Sequence, residues 1–228
     1  MKNIPFRAIT LGGGFWRARY ELNRDVSVKS VYARFEETGR FDALRFNYDG
    51  TRPLHFFYDS DAAKWIEAVA YLIEKDRHGY ADYEKIIDDL VLSMEKHQDK
   101  TGYLNSYFQQ KEPQRIFADR DKHELYCAGH LIEAAVAYYA ATGKDRFLTV
   151  MKRCIDNIER AFVTEKTAKF FSPGHEELEL ALLRLYEATG EERYLKLAAH
   201  FLLIRGVNAE AGYQLGNAAY AQNNAPVY

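Results

Sequence analysis

Three side chains in one stretch of this chain could do chemistry together. His123, Cys127 and His130 follow one another at steps of four and three residues. On an α-helix that spacing puts them on one stripe, beside Tyr126. A histidine and a cysteine four apart could hold a metal between them, or pair a thiol with its base. Against the metal, His123 and His130 stand about 10.5 Å apart along the axis at a rise of 1.5 Å per residue. No CxxC or HExxH spacing accompanies them. A cysteine in mid-helix reads first as a small buried hydrophobe, and an activated thiolate needs an electropositive, partly exposed setting. No metal ligand and no catalytic residue is assigned within the chain on these grounds.

His175 stands apart, in the expected first turn of a helix after Pro173-Gly174. The positive end of the helix dipole disfavours an imidazolium there, whereas Glu176 and Glu177 favour one. A neutral ring offers one donor and one acceptor, a match for a ligand hydroxyl. The competing reading is a satisfied surface or capping histidine, and the residues alone leave both open. Asp59 and Asp61 could form an acid/base pair, but their place before a helix favours the role of caps. Gly12-Gly13-Gly14 lacks the spacing of a phosphate loop and reads as a flexible turn. The loop from Gln98 to Leu104 carries aromatics that could stack on a sugar ring or pack over a core.

These residues need helices to position them. Periodicity predicts seven: residues 20–38, 61–75, 81–97, 122–141, 145–161, 175–189 and 191–205. Asp121 with Glu124 resembles a capping box. Gly143, Gly190 and Gly206 stand where helices should stop, and Pro173 suits a helix start. Residues 1–19 read as an extended arm, residues 40–58 as irregular, and the tail 207–228 shows no period. The helix at 122–141 should bury one face through Leu125, Ala128, Ile132, Ala135 and Tyr139, and offer the histidine stripe as a polar face.

AATGKDRFL at 140–148 matches EATGEERYL at 187–195, an offset of 47 residues. Each match falls at the turn of a helix pair, and WIEAVAYL at 65–72 echoes LIEAAVAYY at 131–139. A period of that size in helical hairpins predicts a solenoid or a closed toroid. Six of the seven helices then pair into three hairpins, and the fold class is all-α.

Composition excludes several functions. The chain has 228 residues, 31 Lys and Arg against 33 Asp and Glu, and a net charge of −2. It therefore lacks the basic excess that nucleic acid or an anionic membrane demands. No apolar run is long enough to span a bilayer, and the N-terminus lacks the apolar stretch of a signal peptide. Two cysteines cannot staple a chain this long, so a reducing, cytoplasmic setting is expected.

Three segments together carry a resemblance: FYDSDAAKWIEAVAY (57–71), HELYCAGHLIEAAVAYYAATG (123–143) and PGHEELELALLRLYEATGEERYL (173–195). They resemble glycoside hydrolase family 127, which includes the β-L-arabinofuranosidases, over essentially the whole chain. The resemblance implies an (α/α)6 barrel followed by β-sandwich domains, and retaining hydrolysis of a terminal β-L-arabinofuranoside in an arabinofuranose-containing glycan. It implies a zinc-bound cysteine nucleophile held with a glutamate and further cysteines, and a separate glutamate as acid/base. Those motifs lie later in the family's barrel, and neither Cys127 nor Cys154 matches them. His123 and His175 do match family positions that hydrogen-bond the sugar. At 47 residues per hairpin, six hairpins need roughly 280 residues. Residues 20–228 are thus expected to be the N-terminal part of a barrel, binding no zinc and inactive alone, with the remaining hairpins and β-domains missing. The alternatives are another (α/α)6 carbohydrate enzyme, of uronyl hydrolase or epimerase type, and a non-catalytic helical-repeat binding module. If the resemblance holds, the two imidazoles should converge within about 10 Å, the spacing of packed helices.

Overall fold

The computed structural model describes Ile4 and residues 6–205. The described residues are helical and loop, with no strand. Gly206 and the tail 207–228 lie outside them.

Three hairpins form the body. The first joins α4 (Tyr58–Lys75) to α5 (Ala81–His97) through a 3-10 turn at His78–Tyr80. The second joins α7 (Glu124–Thr142) to α8 (Arg146–Glu159), and the third joins α9 (Glu177–Thr189) to α10 (Glu192–Ile204). The first members α4, α7 and α9 pack side by side in that order, and α5 packs on α8 behind them. This inner and outer row is the hairpin packing expected of an (α/α)6 portion. Gly143 and Gly190, at φ 75° and 74°, stop α7 and α9 in the left-handed conformation. The repeated ATG turn thus has one local cause.

Ahead of the hairpins lie α1 (Phe15–Leu22), a π turn at Asn23–Ser27, and α2 (Val28–Thr38), stopped at Gly39. Two short helices complete the set, α3 (Arg40–Leu44) before α4 and α6 (Ser106–Lys111) between α5 and α7. The described residues therefore hold ten α-helices rather than seven. Both α3 and α6 are shorter than two turns, too short for a hydrophobic period to show. The arm expected to be extended turns helical at Phe15. No residue of α1 is buried, so apolar periodicity had no reason to mark it. An Arg17–Glu21 ion pair of 2.6 Å spans its exposed turn.

Helix α7 differs from its expected amphipathic form. It is buried nearly all round, because α4 and α9 cover both flanks. Small residues allow this approach. A Cβ on Gly129 would lie 3.0 Å from the Glu177 backbone carbonyl carbon and oxygen, so only glycine admits the start of α9 here. Outer helix α8 keeps one apolar face, with Phe147, Val150, Met151, Cys154, Ile155 and Ile158 inside.

Candidate functional site

Four predicted caps resolve differently. Asp59 and Asp61 make no cap on α4, whose N-cap is Phe57. Asp59 is buried inside the first turn and accepts from the Ser106 backbone N–H at 2.8 Å and from its hydroxyl, tying α4 to α6. Burial, opposed by those bonds, pushes its carboxyl up to about 6. Asp61 pairs with Arg40 at 2.7 Å, so the two are no acid/base pair. Glu124 does not close a capping box with Asp121. It turns inward to accept the Phe117 N–H at 2.9 Å and the Tyr103 hydroxyl at 2.5 Å, and burial pushes it up to about 7. Pro173 lies outside α9, which begins only at Glu177. Tyr103 and Leu104 are buried and Gln98 donates to the Gly102 and Val150 carbonyls. The 98–104 loop is therefore packed over the core, with no aromatics offered for stacking.

The anchoring of Glu124 matters because the preceding residue is His123. His123 forms the N-terminal boundary of α7 with φ 62°. Its Nδ1 lies 2.6 Å from the Asp121 carbonyl oxygen, so Nδ1–H donates there and Nε2 is left as an acceptor. His175, in the turn before α9, puts its own Nε2 3.4 Å from that atom. Burial first, then the neighbouring His123, holds the His175 imidazole below its ordinary range. The helix ends thus bring two imidazoles together, His175 biased to the neutral form.

Tyr126, one turn into α7, is the plate behind them. Its ring centroid lies 5.4 Å from His123, 5.1 Å from His175 and 4.5 Å from His130. Lys64 of α4 donates to its hydroxyl at 2.7 Å. Phe56 flanks His123 from the other side at 5.4 Å. His55, unmarked by any sequence signal, sits beside Phe56 and Phe57. Burial, with Lys122 and His123 nearby, lowers its pKa.

The Cys127 thiol contacts the Phe56 carbonyl at 3.3 Å. Burial pushes it well above its ordinary value, which leaves a protonated thiol and not a nucleophile. Burial also pushes Cys154 up to about 12.

Deeper along the same inner face, His130 leaves the expected His123–Cys127–His130 stripe for different company. Its Nδ1 lies 2.9 Å from Glu177 Oε1 and 3.8 Å from Glu133 Oε2. Arg184 of α9 binds Glu133, donates to Glu67 at 2.7 Å, and reaches the Tyr71 hydroxyl at 2.6 Å. Burial, reinforced by the bond between the two carboxyls, pushes Glu133 up to about 7, and burial raises Glu177 too. Desolvation lowers His130 to about 4. Neither Glu133 nor Glu177 was marked by sequence, because their meeting depends on the depth at which α9 sits against α7.

A family model described as the β-L-arabinofuranosidase GH127 catalytic domain matches residues 8–228. The chain belongs to glycoside hydrolase family 127. The family assignment covers nearly the whole sequence and agrees with the hairpin packing above. A non-reducing end β-L-arabinofuranosidase of Bifidobacterium longum subsp. longum is 38% identical over 157 residues, 66% of this chain and 23% of that relative. A solved GH127 β-L-arabinofuranosidase from Geobacillus stearothermophilus T6 superposes with a TM-score of 0.80 at 39% identity, covering 93% of this chain and 34% of its own. Another solved GH127 β-arabinofuranosidase gives a TM-score of 0.78 at 31% identity, covering 90% of this chain and 34% of its own. The chain thus spans about a quarter to a third of the length of the GH127 relatives it matches.

The thiolate-bound zinc that the resemblance implies finds no fit among the described residues. Both cysteines are buried and free, and neither joins the His130, Glu133 and Glu177 group, whose ligand atoms lie within 4.8 Å of one another.

Proposed function

We propose that this GH127 chain forms part of the sugar-binding wall of a retaining β-L-arabinofuranosidase, with His123 and His175 bonding hydroxyls of a terminal arabinofuranose. The observation that carries this reading is the 3.4 Å approach of the two Nε2 atoms at neighbouring helix starts. Nε2 of His123 accepts, its Nδ1–H being engaged by Asp121, and a neutral His175 presents a donor or an acceptor according to its tautomer. A sugar diol set against both rings would form one directed hydrogen bond at each Nε2 atom. Tyr126 and Phe56 keep the rings from turning away.

Retaining hydrolysis needs a nucleophile and an acid/base flanking the scissile bond. By the resemblance, those two groups and the zinc are assigned to the portion of such an enzyme that this chain does not cover, and burial keeps both thiols of this chain protonated. The substrate is a glycan ending in β-L-arabinofuranose, and the two unpaired cysteines favour a cytoplasmic protein. No described helix is long and apolar enough to cross a membrane.

The test is ligand binding and turnover together. Methyl β-L-arabinofuranoside should shift the NMR signals of both imidazoles in this chain, and p-nitrophenyl β-L-arabinofuranoside should not be hydrolysed. In an active enzyme carrying this segment, His123→Ala or His175→Ala should cost about 1–3 kcal/mol in kcat/KM with zinc content unchanged. Undisturbed imidazole signals at saturating sugar, or full activity in both variants, would remove the assignment.

A further inference from the structure

Below the imidazole pair, the inner face of α7 and the start of α9 gather a second group that the sugar-binding reading does not use. We propose that His130, Glu133 and Glu177 bind one divalent transition-metal ion, of the zinc, manganese or cobalt class. The proposal does not depend on arabinofuranose being the substrate.

Four observations carry the proposal. First, the donors converge: one atom from each side chain lies within 4.8 Å of the others. His130 and Glu133 are three apart on α7 and so share a face, while Glu177 comes from the neighbouring helix. Second, His130 and one oxygen of Glu177 are left without hydrogen bonds where the donors meet. Both ring nitrogens of His130 and Oε1 of Glu177 are buried and lack a hydrogen-bond partner. Nδ1 and Oε1 stand only 2.9 Å apart, without the direction a hydrogen bond requires. Lone pairs crowded in this way, in a place water does not reach, are what a metal ion satisfies. Third, the approach is built in. Gly129 alone lets the Glu177 backbone come this close to α7, and a bulkier residue there would pull Glu177 from His130. Fourth, an outer layer is present. Arg184 binds Glu133 and is itself held by Glu67 and the Tyr71 hydroxyl, which fixes the carboxylate while leaving Oε2 towards His130. Such supports orient ligands and set affinity.

One imidazole and two carboxylates suit a borderline ion rather than calcium, which prefers an all-oxygen shell. Three protein ligands leave a coordination position open.

The experiment is titration of the metal-free 228-residue chain with cobalt(II), followed by visible absorption, with zinc(II) calorimetry alongside. One ion per chain should bind with the bands of a nitrogen and oxygen site and no thiolate charge transfer. Glu177→Gln, close in shape to the native side chain, and His130→Ala should each weaken binding at least tenfold, whereas the exposed His78→Ala should not. If a variant fails to fold, paramagnetic broadening of the His130 resonances by cobalt in the native chain replaces it. No saturable binding, thiolate bands, binding unchanged in Glu177→Gln, or His130 signals unmoved by cobalt would each overturn the proposal.

Discussion

Helices α7 and α9 end on the same words and live in different surroundings. Each closes with an ATG turn whose glycine N–H bonds back four residues at 2.8 Å, to Tyr139 in one and Tyr186 in the other. Yet α7 buries thirteen of nineteen residues, and α9 five of thirteen. The middle helix is flanked by α4 and α9, whereas the third hairpin keeps Leu180, Leu202 and Leu203 exposed. Local code sets where a helix stops, and neighbours set what it is worth. The same repeat can therefore act as core in one copy and as margin in the next.

The sharpest way to break this contrast is a pair of truncations. Ile132→Ala, at a fully buried position of α7, should cost about 2–5 kcal/mol in denaturant unfolding. Leu203→Ala, 74% exposed on α10, should stay within about 0.5 kcal/mol. Equal losses would mean that the third hairpin is as enclosed as the second.

A second test concerns the buried carboxyl at the start of α7. Glu124 ionises near 7 when folded and near 4.5 when free, so the folded state holds its proton longer. Stability should therefore fall as pH rises from about 4.5 through 7, by up to about 3 kcal/mol. Glu124→Gln should flatten that slope when unfolding is measured across the window. A slope left unchanged would show that the carboxyl is not desolvated.

A more modest loss should come from the turns that the helices share. Gly143→Ala and Gly190→Ala each force a Cβ into left-handed backbone, and nothing crowds either position. Both should lose about 1–2 kcal/mol by thermal unfolding, and by the same amount. A marked difference would show that the turns are not equivalent.

These turns were also the most legible part of the sequence. A glycine stop is a local event, readable from a few residues, so the three hairpins and the all-helical class followed from the repeat. α3 and α6 were not legible, because helices of one or two turns are made by tertiary contacts such as Asp59 with Ser106. The approach of His123 to His175 is foreseeable from their matching places before neighbouring helices. The meeting of His130 with Glu133 and Glu177 is not. It depends on the depth at which two helices interlock, and the one clue, Gly129, acquires meaning only once its neighbour is known. The inward turn of Glu124 was likewise hidden, since an acidic residue in a first turn normally faces the helix end.

One further consequence attaches to the backbone of His123. A residue with a side chain at φ 62° is held where glycine or asparagine would rest more comfortably. A library of variants sorted only for durability would drift toward those two residues at this position. Every such winner would have discarded the ring that faces His175. Heat resistance and recognition pull this position in opposite directions, so breeding a hardier form of the protein requires a second sieve that selects for the imidazole itself.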